Sequence, residues 1–163
     1  MSVLRPRAGF AFSHPAHALA LGFGAGLSPF APGTAGTLAA WAAGLALAPF
    51  LSPAAMLALA GVLFLAGIWA CDVTGRDLGV SDHGAMVWDE IAAFLLVLAV
   101  VPREFAWQAT AFAVFRFFDI AKPYPIRRLE SIGPGLGVMA DDILAGVYGG
   151  ICLAVIYAVS LSI

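Results

Sequence analysis

Five carboxylates stand in sequence that is otherwise apolar. Asp89 and Glu90 close the stretch DHGAMVWDE, Asp119 lies in FRFFDIAKPYPIRR, and Asp141 and Asp142 lie in GVMADD. An aspartate near the middle of a membrane helix is unfavourable by about 2.5 to 3.5 kcal/mol on insertion scales. Acids brought from three helices to one depth also repel one another, so something must offset the charge. Hard divalent cations take oxygen ligands, and magnesium is commonly held by one or two carboxylates with water and substrate phosphate. Asp82 is either a further ligand or a helix cap. Two other readings account for the same charges. Arg116, Arg127 and Arg128 can close a bundle as Arg–Asp pairs, or the acids can line a proton or ion pathway.

A second set of residues suits an anion. Residues 115–128 hold four of the eight basic residues, including Lys122, the one lysine. Lys122 precedes Pro123, which biases it away from helical geometry. A point charge on stiff backbone suits a phosphate; the plainer reading is an interfacial lysine that reaches up to lipid headgroups. Arg116 and Asp119 are spaced to share one helical face. The stretch PGTAGT (32–37) opens an apolar helix. Its glycines permit close backbone approach, a helix N-terminus favours negative charge, and Thr34 and Thr37 add hydroxyls. The plainer reading is a glycine turn with a threonine cap. His83 is a candidate acid or base. His14 and His17 can face one way on a helix, as a metal pair or in anchoring and hydrogen bonding. Asp72, Asp77 and Glu130 read as solvated loop charge.

Composition sets the surroundings. The chain of 163 residues is 62% hydrophobic and 11% charged, against about 25% charged in ordinary soluble domains. Too little charge is available to cover a water-facing surface, so one integral-membrane domain over 1–163 is expected. The net charge is −2, and no basic run is long enough to track a nucleic-acid backbone. Cys71 and Cys152 lie far apart in apolar runs and read as small buried hydrophobes. Neither opens a Cys-x5-Arg loop. Arg5 and Arg7 precede an apolar run, but His14, Pro15, His17 and several glycines interrupt it, unlike a signal peptide.

The elements that must position these residues are helices. Residues 1–13 read as a loose lead-in and 16–27 as a short interfacial or re-entrant helix. Apolar helices follow over 36–50 and 54–70, then a polar loop over 72–84. Asp82 as N-cap predicts a helix over 83–101, with Asp89 and Glu90 about two turns inside it. The next helix spans 105–121, ended by Pro123. A glycine-rich loop leads to the last helix over 138–163, with Asp141 and Asp142 in its first turns. The expectation is an all-α, polytopic membrane bundle of about five apolar helices. With the N-terminus inside, seven basic residues fall on the cytoplasmic side and Arg103 alone on the other. The positive-inside rule supports that orientation, and every candidate site residue then lies at the cytoplasmic end. Trp88, Trp107 and Tyr124 fit interfacial belts.

Taken together, GFGAGLSPFAPGTAGTLAA, DHGAMVWDE, FRFFDIAKPYPIRRLE and GLGVMADDILAGVY resemble the phosphatidylglycerophosphatase A family. The four motifs occur in the family's order and cover most of residues 21–148. The resemblance implies a magnesium-dependent lipid phosphatase of the bacterial inner membrane. Such an enzyme removes the terminal phosphate of phosphatidylglycerophosphate to leave phosphatidylglycerol. By motif position, Asp89, Glu90, Asp119, Asp142 and Lys122 carry catalysis. Thr34, Thr37, Arg116 and Lys122 hold the substrate phosphate. Asp82, Asp89, Glu90, Asp119, Asp141 and Asp142 are the metal candidates, and His17 also falls in the family's pattern. One departure is Ala93, where the family often has glycine. The DxDx(T/V) signature of aspartyl-phosphate hydrolases is absent, which leans toward direct water attack. The spaced DG…AR…G…D…D pattern of headgroup transferases is also absent. A transporter with an intramembrane acid cluster is the rival from another class. Oligomeric state and acyl-chain preference have no signature in the sequence.

Overall fold

The computed structural model describes residues 5–160, and every element among them is helical. A single helical turn, α1 (Ala8–Ala11), is followed by α2 (Pro15–Ala20) and a 3-10 segment over Gly22–Leu27. The lead-in is therefore ordered from residue 8: Ala11 is fully buried and packs with Leu21 and Ala85. Residues 1–4 lie outside the described residues. His14 caps α2, its Nδ1 accepting from the Ala16 N–H at 3.1 Å.

Five longer helices make the bundle. α3 (Pro32–Leu47) starts at Pro32, whose fixed φ suits a first helical position. α4 (Pro53–Leu78) is capped by Ser52, whose hydroxyl accepts from the Ala55 N–H, and is stopped by Gly79 at φ 72°. α5 (Trp88–Val100), α6 (Phe105–Ala121), a short turn α7 (Ile126–Leu129) and α8 (Leu136–Ser160) complete the chain. α5 is the axis. It packs against α3, α4, α6 and α8, and residues 85–95 are buried without a break. Beyond Asp89 and Glu90 its sequence is apolar on all sides, because neighbouring helices cover most of its surface. Ala93 is among the buried residues, with Gly146 of α8 passing over its carbonyl. Trp41 stacks on Phe105 and Phe112 and donates to Gln108 Oε1 at 2.6 Å, which seals the end of the bundle away from the acids.

α4 and α8, at 26 and 25 residues, are long and apolar enough to cross a membrane. α3, α5 and α6 have 16, 13 and 17 residues, roughly 20 to 26 Å at the helical rise. These three are shorter than the about 20 residues of a full crossing. The outward faces carry large exposed apolar side chains, among them Leu65 and Trp69 on α4, Phe117 and Ile120 on α6, and Ile151 and Val155 on α8. A contiguous surface of this kind suits lipid rather than water.

Several boundaries differ from the sequence reading. α4 continues through Asp72 and Asp77, which are helical and not loop. Asp72 pairs with Arg76 one turn on, and Asp77 Oδ2 accepts from His17 Nε2 at 2.9 Å, so both charges have partners that keep the helix going. α5 begins at Trp88 rather than at His83, because the Val87 N–H bonds to the distant Ala20 carbonyl at 2.8 Å instead of continuing a helix. Asp82 therefore caps nothing, and Asp89 and Glu90 occupy the first turn. Trp88 is buried and donates to the Leu63 carbonyl at 2.9 Å; it is core, not interfacial belt.

Candidate active site

The starts of α3, α5 and α8 and the end of α6 meet at one end of the bundle. α5 contributes Asp89 and Glu90, α8 contributes Asp142, and ligand atoms of the three lie within 4.8 Å of one another. All three residues are buried. One oxygen of each, Asp89 Oδ1, Glu90 Oε2 and Asp142 Oδ2, is fully buried without a hydrogen-bond partner. Three orphaned carboxylate oxygens in one place are costly unless a cation or protons satisfy them. Their donor chemistry, all hard oxygen, fits magnesium better than a soft-metal site.

The remaining acids are divided among cations. Arg116, from α6, bonds Asp119 Oδ2 at 2.5 Å and lies 3.5 Å from both Glu90 Oε1 and Thr37 Oγ1. Asp119 in turn adjoins Asp142. Arg116 Nε is buried and unpartnered, a donor still to be satisfied. Lys122 ends α6 in the left-handed region, φ 42° and ψ 61°, as the following proline disfavours helix there. Its Nζ bonds Asp141 Oδ2 at 2.5 Å and Glu130 Oε1 at 2.8 Å. Burial alone would lower the Lys122 ammonium, but the hydrogen bonds to Asp141 and Glu130 outweigh it and hold its pKa above the ordinary lysine value. The charge is therefore permanent at neutral pH.

Of the six metal candidates, then, three form the cluster. Asp119 and Asp141 sit one step out, as partners of Arg116 and Lys122, and Asp82 is exposed in the loop before α5, within the electrostatic reach of Lys122. The ion-pair reading accounts for Asp119 and Asp141 and leaves the trio without a counter-charge of its own, since Glu90 only shares Arg116 with Asp119. Thr37 is fully buried and spends its proton on the Gly33 carbonyl at 2.9 Å, while Thr34 lies half-buried in the first turn of α3. His83 Nδ1 accepts from the Ala85 N–H at 3.0 Å and shapes the loop. His14 and His17 do not form a metal pair: His14 caps a helix, and His17 stacks on Phe10 at 4.1 Å and meets Asp77.

The comparisons with known proteins fit this geometry. The profile of the family described as Phosphatidylglycerophosphatase A matches residues 18–157. The chain belongs to the phosphatidylglycerophosphatase A family. A Phosphatidylglycerophosphatase A of Haemophilus influenzae is 46% identical over 83% of this chain and 84% of its own length. One of Escherichia coli is 43% identical over 83% of this chain and 79% of its own. A protein of Bacteroides thetaiotaomicron, provisionally named a phosphatidylinositol-3-phosphatase, is 45% identical over 82% and 88%. No solved structure matches the chain. As a member of the phosphatidylglycerophosphatase A family, the chain is a phosphatase, a hydrolase of phosphoric monoesters.

Two residues of this phosphatidylglycerophosphatase A site escaped the sequence reading. Glu130 looked like a solvated charge, and its pairing with Lys122 follows only once the 123–135 segment folds back. Gly33 reads in the sequence as a glycine at a helix start that lets backbone approach an anion; the anion it approaches is the protein's own. A Cβ there would collide with Glu90 Oε1 and stand 3.1 to 3.2 Å from the Arg116 guanidinium. Gly33→Ala is expected to displace the Glu90–Arg116 pair and lower kcat about 100-fold, the cost of a misplacement near 1 Å. Specific activity beside an unchanged far-ultraviolet circular dichroism spectrum checks this; full activity would show that the pair is dispensable.

Proposed function

We propose that the chain is a magnesium-dependent lipid phosphatase that cleaves the terminal phosphate of phosphatidylglycerophosphate to leave phosphatidylglycerol. We place it as a multi-pass protein of about five spans in the bacterial inner membrane, with its site at the cytoplasmic end. The observation that carries this is the trio Asp89, Glu90 and Asp142, with three bare oxygens beside two fixed cations. Asp89, Glu90 and Asp142 would hold the magnesium, and Asp119 and Asp141 back them. A divalent cation so held supplies charge stabilisation for phosphate oxygens and acidifies water.

The protein's own groups do the rest. Lys122 and Arg116 stand at the edge of the acids and neutralise charge on the phosphate. That task dominates monoester hydrolysis, which is among the slowest uncatalysed reactions. Asp119 fixes the Arg116 guanidinium by its hydrogen bond. Water adds to phosphorus as the P–O bond to the glycerol carbon's oxygen breaks, and inorganic phosphate and the lipid alcohol leave. The carboxylates of the trio would take the proton that the water loses and return one to the departing glycerol oxygen, which leaves as the alcohol. Phe94, Phe115, Val97 and Leu153 fill the bundle beyond the acids, which speaks for a blind site and against an ion pathway. The name of the Bacteroides relative favours a second headgroup, phosphatidylinositol 3-phosphate.

Phosphate release from mixed micelles, with magnesium and with chelator, tests the reading. Chelation is expected to reduce release from phosphatidylglycerophosphate at least 100-fold, with readdition restoring it. Phosphatidylinositol 3-phosphate and phosphatidic acid are expected to turn over more slowly. No release from well-folded protein with magnesium would reject the assignment, and faster turnover of the inositol lipid would replace the substrate.

A further inference from the structure

Beside Lys122 lies a cavity of about 440 Å³, lined by Ala121, Lys122, Pro123, Tyr124, Arg127 and Arg128. No carboxylate lines it. Arg128 is held in place: its guanidinium lies 4.8 Å from the Tyr124 ring centroid and donates to the Tyr124 hydroxyl at 3.1 Å. Arg127 has no acidic partner among the described residues. Both arginines stand on α7, pinned to the core by fully buried Ile126. Tyr124 is 72% exposed, so the cavity opens outward. Lys122 is common to this cavity and to the acid site, through its bond to Asp141.

Resting on the phosphatase reading above, we infer that this basic cavity binds the phosphodiester that the substrate keeps. The scissile monoester and the retained diester are joined by one short polyol. A lipid with its monoester among the acids therefore puts its diester within reach of the neighbouring cavity. Guanidinium groups recognise phosphate through paired N–H donors, and two of them beside Lys122 form a site for a second phosphate. Arg127 and Arg128 are on this view specificity residues. They select a lipid bearing two phosphates over one bearing a monoester alone.

The test uses full-length protein in neutral detergent, with short-chain phosphatidylglycerol as a probe that carries only the diester. Arg127→Gln/Arg128→Gln is expected to weaken phosphatidylglycerol binding about tenfold and leave binding of diacylglycerol, its counterpart without the phosphate, unchanged. For phosphatidylglycerophosphate, KM is expected to rise about tenfold with kcat within twofold. Arg127→Lys/Arg128→Lys, which keeps charge but loses the fork, is expected to fall between. Unchanged phosphatidylglycerol binding, equal loss for diacylglycerol, or full rescue by the lysine pair would overturn the inference. Arginine-dependent binding without any phosphate release would instead leave the cavity standing and remove the phosphatase reading.

Discussion

Asp142→Asn is expected to lower phosphate release on the order of 1,000-fold while leaving the protein at least as stable as the wild type without metal. The two halves of that result come from one cause. Asp142 is 2% exposed and crowded by Asp89, Glu90 and Asp119. Its Oδ2 has no hydrogen-bond partner among the described residues. An amide of the same shape removes one of the clustered negative charges, so repulsion in the metal-free fold falls. On the proposed magnesium reading the same change removes a ligand, so magnesium should raise the melting temperature of the wild type and not of the variant. Thermal melts with and without magnesium, beside the micelle assay, read both. A variant that melts lower and keeps its rate would show that the acids form a structural charge network.

Lys122→Gln is expected to behave differently, losing both rate and stability. The side chain joins Asp141, which is buried, to Glu130 on the folded-back segment. Removing the cation leaves Asp141 buried without a counter-charge, which costs about 3 kcal/mol. Rate should fall on the order of 100-fold or more, since a fixed positive charge beside the phosphate is gone. Lys122→Arg separates the two effects. It restores a cation to Asp141 and so recovers the melting temperature. Its broad fork does not reproduce a point charge on a left-handed backbone, so kcat should stay at least tenfold down. Full recovery of kcat by arginine would show that charge alone matters at this position.

The bundle's punctuation could be read from the chain. α6 spans the expected 105–121 because Pro102 and Pro123 bracket a mostly apolar run free of proline and glycine. The start of α5 was not legible. Residues 85–87 are apolar and look helical, but their backbone is claimed by His83 and by the remote Ala20 carbonyl. The extension of α4 past Cys71 was hidden for the opposite reason. Asp72, Thr74, Arg76 and Asp77 look like loop, yet Thr74 and Gly75 are buried and the charges pair along or across the helix. At the site, the acids were identifiable from their placement in apolar sequence. Their division was not, because it depends on how α5, α6 and α8 rotate about their axes. Packing sets that rotation, turning Asp142 to the cluster and Asp141 to Lys122.

The apolar outer faces of α4, α6 and α8 bear on the kinetics as well as the fold. With those faces in lipid, an enzyme of this shape meets its substrate by diffusion within a sheet. Its working variable is then the lateral density of phosphorylated lipid, and dilution with inert lipid slows it at constant bulk concentration. The dissolved volume around the membrane drops out of the rate law, except for water and released phosphate.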